Sequence, residues 1–344
     1  MRCIMLVIAF ISFISCTNTE DSNTAPSIKT IQSKSEQYVA SENTSPSELN
    51  DFTIIMKLCE DKYGPDCTEL RLGDNSLTIS KPANGFLYSC VDKNPNAPGA
   101  ISDKITWIDL TAATWNLFQK LWLPRGEFQS AEGFYIEHIG DNKREIQTNN
   151  LPVDKKIGDW PMTNYPSLTQ IDPNPGIPRE NDSSLSLPTE PVQADSPTCL
   201  SPGVIGITKN GVAIFNAADA RGEDAVAREI VDEFGGHPAR YEYHYHFIPE
   251  RLDNNFIQNG HSGIVGYIKD GFPIHGYRGD RGIEMSNSDL DTCHGHQHGS
   301  LGYHYHATLE YPYTVGCYMG TPTSDKSTDN LQIPPRGVRP PLRP

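Results

Sequence analysis

Apolar positions along this chain fall in short bursts, such as FTIIMKL (52–58), GFLYSCV (85–91) and GVIGI (203–207), each with Gly, Pro, Asn or Asp within three residues of both ends. Bursts of four to eight residues with turn formers at both ends predict short strands, and runs at the 3.6-residue period of a long helix are scarce. The expected fold is therefore mainly β with few short helices, a β-rich α+β arrangement. The segment WIDLTAATWNLFQKLWLP (107–124) is the best candidate for a packed amphipathic stretch, and it carries Trp107, Trp115 and Trp122.

The same pattern repeats within the chain. Residues 203–214 (GVIGITKNGVAI) align with 263–274 (GIVGYIKDGFPI) at an offset of sixty, and that offset also lays Tyr243-His244-Tyr245-His246 on Tyr303-His304-Tyr305-His306. With one gap, Asp232 to His237 (DEFGGH) falls on Asp291 to His296 (DTCHGH). Each unit, 202–249 and 262–313, then reads as strand, Asn-Gly or Asp-Gly turn, strand, short helix or loop, Gly-His corner and YHYH strand. In the first unit Ala225 to Phe234 has helical spacing and ends at Gly235-Gly236, which predicts a helix with a glycine cap. The duplication predicts a pseudo-twofold pair of YHYH strands.

Residues 1–16 form a short apolar run behind one arginine and end in Ser15-Cys16, the pattern of a secretory signal. Phe13-Ile14-Ser15-Cys16 resembles the lipobox of bacterial lipoproteins, so lipidation at Cys16 and a membrane anchor on the cell envelope are expected. Residues 17–50, rich in Ser, Thr, Asn and Glu, predict a disordered tether. The remaining boundaries are an N-terminal β-rich portion at 51–130, a main domain at 131–320 and an extended tail at 321–344. Within the main domain, the Pro, Ser and Asp-rich stretch 172–200 reads as an exposed insertion.

A formal charge of -15 argues against nucleic acid, whose phosphates demand clustered Lys and Arg, and is compatible with cation binding. Of eight cysteines, setting aside Cys3 and Cys16 leaves Cys59, Cys67, Cys90, Cys199, Cys293 and Cys317. An even set in an exported chain predicts disulfides, with Cys59–Cys67 and Cys293–Cys317 as the preferred local pairs.

Ten of the eleven histidines lie between His237 and His306. Strand alternation turns both histidines of each YHYH to one face and both tyrosines to the other. If the two repeats pack against one another, His244, His246, His304 and His306 form a single four-nitrogen cluster. His237 and His296, at the matching corners, are the next candidate ligands, and Asp232 and Asp291 are candidates to orient ligand imidazoles by hydrogen bonding. His261, His275, His294 and His298 are weaker candidates, and His138 reads as an ordinary strand histidine. All-nitrogen ligation in an exported protein favours copper first and zinc second, whereas calcium and magnesium prefer oxygen. Such ligands should bind metal less well roughly below pH 6 to 6.5.

The paired YHYH strands, the D-x-C-x-G-H corner at Asp291 to His296, NGVAIFN (210–216), DGFPIHG (270–276) and PYTVGCYMG (312–320) resemble the YHYH-domain family of exported bacterial proteins. GFLYSC (85–90) and TNNLPVD (148–154) are similar to its N-terminal portion, so the resemblance spans roughly 80–320. Phe234 stands where that pattern often has Cys, and Asp154 where it often has His. The resemblance implies little about activity, because the family is largely uncharacterised.

Three functions follow as alternatives: an envelope-anchored metal-binding protein, a metal-dependent enzyme (copper oxidoreductase or zinc hydrolase), and a polysaccharide or partner-binding module using the Trp-rich segment. No phosphate loop, dinucleotide fingerprint or nucleophile-base pattern appears elsewhere. Whether the chain is an enzyme is left open by its sequence.

Overall fold

The fold rests on one sheet of eight strands, whose order explains where the histidines go. The computed structural model describes residues 59, 66–127, 132–174 and 176–323. The eight strands are β1 (Val204–Thr208), β2 (Ala213–Phe215), β3 (Gly236–Ala239), β4 (Glu242–Tyr245), β5 (Ile264–Ile268), β6 (Pro273–His275), β7 (Gly295–His298) and β8 (Gly302–His306). They lie in the order β3-β4-β2-β1-β5-β6-β8-β7, so the two repeats meet through their first strands and read outwards in the same sequence of elements. Among the described residues the α-helices are two, Pro166–Ile171 and Ala225–Arg228.

The central pair, β1 and β5, is antiparallel with Gly206 opposite Ile268 and Thr208 opposite Gly266. Glycine is required there by close approach: a Cβ on Gly206 would stand 2.6 Å from the carbonyl oxygen of Tyr267, and one on Gly266 2.6 Å from that of Ile207. Each repeat then turns at Asn210-Gly211 or Asp270-Gly271, whose glycines have φ of +84° and +93°. The second strand pairs in parallel with its YHYH strand, Ile214 beside Tyr245 and Ile274 beside Tyr305. The Gly-His corner strand pairs antiparallel outside it, His237 opposite His244 and His296 opposite His304.

The stretch 172–200 has mostly exposed or half-buried side chains, but it pairs into strands instead of forming a loop. Ser183–Pro188 is the third strand of a sheet with Tyr135–Gly140 and Lys143–Thr148, and Leu185 and Leu187 pack with Ile146 on Ile207 and Tyr267 of the central pair. Gln193–Thr198 pairs with Tyr318–Gly320. The serines and prolines conceal a period-two pattern: Leu185 and Leu187 alternate with serines that face outwards, and Pro197 is tolerated in a two-stranded ribbon where one edge needs no ladder.

The helix expected over 225–234 ends at Arg228. Beyond it the backbone is captured by tertiary partners: the Glu229 carbonyl accepts from Lys120 Nζ at 2.6 Å, and Ile230 N–H donates to the Asp172 carboxylate at 2.9 Å. Leu123 donates to the Val231 carbonyl and accepts from Glu233 N–H. These bonds replace the i→i−4 ladder and carry Ile230, Val231 and Phe234 into the core as extended chain.

A single apolar core joins the N-terminal portion to the repeats. Leu70, Leu87, Trp107, Trp115, Trp122 and Leu123 share it with Val226, Ile230, Tyr303, Tyr305 and Val315. Trp107 donates its indole N–H to the Ala227 carbonyl at 2.7 Å. Because Trp107 and Trp115 are 2% exposed and Trp122 7%, the Trp-rich segment presents no stacking platform, which removes the basis of the polysaccharide-binding reading. Cys59–Cys67 and Cys293–Cys317 are disulfide-bonded, and Cys90–Cys199 is the third pair. Three disulfides are the signature of an oxidising, extracellular environment. No helix of the described residues is long and apolar enough to cross a membrane. Cys16, the signal and the tether lie outside the described residues.

Candidate metal centres

Alternation along each YHYH strand separates its side chains as strand geometry requires. On one face the Tyr243 and Tyr245 rings meet edge to face, as do those of Tyr303 and Tyr305. On the other, the Nε2 atoms of His244 and His246 approach to 3.1 Å, and those of His304 and His306 to 3.2 Å.

The two strands do not share a cluster. From β4 to β8 the chain crosses five strand steps of the sheet, about 24 Å at the usual spacing of about 4.8 Å. Each YHYH instead gathers candidate ligands from its own repeat or, for His261, from the residue just before it, and the expected single cluster of His244, His246, His304 and His306 is replaced by two. The physical reason is the choice of partner: the repeats dock through β1 and β5, which leaves the YHYH strands towards opposite ends of the sheet.

The first centre comprises His237, His244 and His246, all buried, with one ligand atom from each within 4.8 Å of the others. Phe215 stacks on His244 with ring centroids 3.8 Å apart. Both ring nitrogens of His237 are buried without a hydrogen-bond partner among protein atoms. Glu229 brings Oε2 to 3.5 Å from Nε2 of His237 and 3.8 Å from Nε2 of His246.

The second centre comprises His261, His296, His304 and His306, with their ligand atoms again within 4.8 Å. His296 Nε2 is 3.1 Å from His304 Nε2, and Nε2 of His261 is buried without a partner. Where the first repeat has Phe215, the second has His275, its ring 4.3 Å from that of His304. His298 sits at the rim, its Nε2 3.0 Å from Asp280 Oδ2, and this pair is partly open to solvent.

Hydrogen bonding fixes the imidazole tautomers in a way that bears on metal. His244 Nδ1 lies 3.0 Å from the Glu242 carbonyl and His246 Nδ1 2.5 Å from that of Asn216. The second repeat reproduces both bonds, His304 to the Gly302 carbonyl at 3.1 Å and His306 to that of Gly276 at 2.7 Å. A carbonyl can only accept, so each Nδ1 carries the proton and each Nε2 presents a lone pair. Within each YHYH, then, two acceptors face one another at 3.1 or 3.2 Å with no hydrogen between them. That contact is unfavourable for bare imidazoles and fits a bound cation, since metal–nitrogen bonds of ~2.0–2.1 Å at tetrahedral angles set neighbouring nitrogens about 3.3 Å apart.

Protonation does not relieve the contact. Burial pushes the imidazoles of His237, His244 and His306 well below the ordinary histidine value, His246 to about 4 and His304 to about 2. Neutral imidazole is the form a metal binds, so protons compete less than free histidine would allow.

Asp232 and Asp291 do not orient the imidazoles. Asp232 accepts from Tyr243 Oη at 2.7 Å, Trp160 Nε1 at 3.1 Å and the backbone N–H groups of Gly158, Phe234 and Gly236. Asp291 accepts from Tyr303 Oη at 2.9 Å and from the N–H groups of Cys293 and Gly295. Both cap the Gly-His corner and anchor the tyrosine, and the orienting acceptors for the histidines are backbone carbonyls instead. Glycine at the corner follows from the same contact, because a Cβ on Gly236 or Gly295 would lie 2.4 Å from the hydroxyl of Tyr243 or Tyr303. Asp154, where the family pattern often has His, pairs with Arg251 at 3.0 Å, and Arg251 in turn donates to the Tyr245 hydroxyl.

His294 is buried but bonds Thr308 Oγ1 at 2.9 Å, outside either cluster, and His138 is exposed on the Tyr135–Gly140 strand. Glu229 is the residue that sequence reasoning missed. It stands outside the YHYH and Gly-His motifs, and its only signal is an acidic residue eight positions before His237 in a segment that otherwise reads as a core helix.

Residues 184–284 match the family model described as YHYH protein, which identifies that stretch as a YHYH domain. The match takes in the first YHYH and ends before the second. No curated protein and no solved structure matches the chain.

Proposed function

We propose that this chain, with its YHYH domain, is an exported, lipid-anchored protein that binds two transition-metal ions through imidazole, copper in first place and zinc in second. The observation that carries the reading is the pair of Nε2 lone pairs facing one another in each YHYH, at 3.1 Å and 3.2 Å, with both Nδ1 protons committed to backbone carbonyls. Nitrogen donors favour copper in the stability series, with zinc next. Residues His237, His244 and His246 would hold one ion and His261, His296, His304 and His306 the other. Anchoring rests on Ser15-Cys16.

Metal analysis and electron paramagnetic resonance of protein purified from an oxidising compartment test this directly. Two ions per chain and a nitrogen-ligated cupric signal are expected, and less than one ion at saturating metal would sink the reading. Labelled fatty acid should enter at Cys16, and a Cys16→Ala variant that stays membrane-bound would remove the anchor.

A second reading, a metal-dependent enzyme, is supported by the rim of the second centre, where the His298 and Asp280 side chains are 32% and 48% exposed. A catalytic site keeps a coordination position open to water or substrate. Azide would then shift the cupric spectrum of the second centre, and an unshifted spectrum would favour the closed binding site.

A further inference from the structure

A carboxylate stands beside two of the three histidines of the first centre, outside the set whose ligand atoms all lie within 4.8 Å of one another. Glu229 leaves the short helix at its C-terminal end, where Lys120 holds its carbonyl, and its side chain is 16% exposed. Its Oε2 stands 3.5 Å and 3.8 Å from Nε2 of His237 and His246. Both separations are too long for a hydrogen bond and close to the ~3.3 Å edge of a tetrahedron of nitrogen and oxygen donors around a zinc-sized ion. With its Nδ1 committed to Asn216, His246 can offer Oε2 only a lone pair. An ionised Glu229 faces that lone pair as a second acceptor; burial raises its carboxyl well above the usual carboxylate range, and a cation held between the two is what would keep it ionised.

The repeat alignment shows that this feature belongs to one centre alone. With the offset that relates Asp232 to Asp291, Glu229 falls on Ser288, which bonds Ser286 in a capping turn. With the offset that relates the YHYH strands, His261 of the second centre falls on Ser201. The side chain that distinguishes each cluster thus comes from a different place, Glu229 from within the first unit and His261 from just before the second.

We infer that Glu229 is the fourth ligand of the first centre, making it a His3Glu site that holds divalent ions, while the all-imidazole second centre also accepts cuprous ion. The inference rests on the two-centre reading above and assigns its selectivity. A hard, anionic oxygen favours the divalent state and contributes little to a soft monovalent ion, whereas four neutral imidazoles suit cuprous and cupric copper alike. With a divalent ion, the first centre would carry a net charge of one and the second a net charge of two, counting ligands and metal.

Glu229→Gln removes the charge at constant shape. Zinc titration of the full chain should show two sites in the wild type and, in Glu229→Gln, a loss of about tenfold or more at one of them with the other unchanged. Cuprous affinity, measured without oxygen against a chromophoric chelator, should hold at both. The cupric resonance of the first centre, read in a His304→Ala background, should move from three nitrogens and one oxygen towards a weaker field. Two zinc sites of unaltered affinity in Glu229→Gln, or an unmoved cupric signal, overturn the assignment while leaving two centres in place. A wild type that binds no zinc or copper removes both readings together. Should Glu229→Gln fold poorly by circular dichroism, Glu229→Asp draws the carboxylate back by one methylene, and the same loss at one site is expected.

Discussion

Replacing His244 by alanine removes one ligand from the first centre and should leave the second untouched. The separation sets the size of any crosstalk. At about 24 Å, two unit charges interact by roughly 0.2–0.7 kcal/mol at an effective dielectric between about 80 and 20, and a Debye length of about 8 Å reduces this several-fold further in physiological salt. Sites this far apart with no shared partner are additive to within about 0.5 kcal/mol. His244→Ala should therefore lower stoichiometry from two ions to one and change the affinity of the remaining site by less than about threefold. His304→Ala should do the same from the other side, and the double variant should bind none. The assay is metal analysis after equilibrium dialysis, with calorimetric titration for the remaining site and circular dichroism to confirm folding. Loss of both ions in either folded single variant would refute the separation of the centres and restore a shared cluster.

Tyr243→Phe should keep both ions, because the hydroxyl serves Asp232 on the opposite face at 2.7 Å; it should cost about 1–3 kcal/mol in urea unfolding by depriving a buried carboxylate of a donor, and loss of metal without loss of stability would reverse the face assignment. Burial holds the imidazole of His246 at about 4 and that of His304 at about 2. Metal should accordingly persist to about pH 5 in stepped dialysis rather than leave near pH 6 to 6.5, and release of half by pH 6 would contradict the burial argument. Lys120 is buried over Trp107 and Trp122, and desolvation lowers its amine to about 7 against the partial opposition of Asp172, Asp224 and Glu229. Its folded value lies below the unfolded one, so between pH 7 and about 10.5 the unfolded chain binds more protons and this residue's contribution to stability rises with pH. The stability difference between wild type and Lys120→Met, followed by denaturant titration across that window, should grow in favour of the wild type, and a flat difference would show that Lys120 titrates normally.

Much of the chemistry was legible in the chain because it rests on local rules. Alternation alone assigns His244 with His246, and His304 with His306, to one face, since i and i+2 share a face in any strand. The repeat alignment, with its one-residue gap, matches the corners His237 and His296 ahead of their YHYH strands, and β3 and β7 do lie beside β4 and β8. Short loops explain why Cys59–Cys67 and Cys293–Cys317 could be guessed while Cys90–Cys199, separated by 109 residues, could not.

Long-range pairing decided the rest. Nothing local distinguishes repeats that meet through their YHYH strands from repeats that meet through β1 and β5. The glycines at 206 and 266 make the second choice possible by allowing each backbone to approach the other's carbonyls, and that choice turns one expected centre into two. Tertiary partners likewise overrode helical spacing after Arg228, where the Lys120 amine and the Asp172 carboxylate take the backbone groups of Glu229 and Ile230. The same redirection brings the Glu229 side chain against His237 and His246. The sequence by itself therefore determined which histidines act together within a repeat, because strand periodicity is a property of neighbouring residues. How many histidine clusters there are, and which further side chains stand beside each, was decided only by the tertiary structure, because strand order and buried backbone partners join residues that are far apart in the chain.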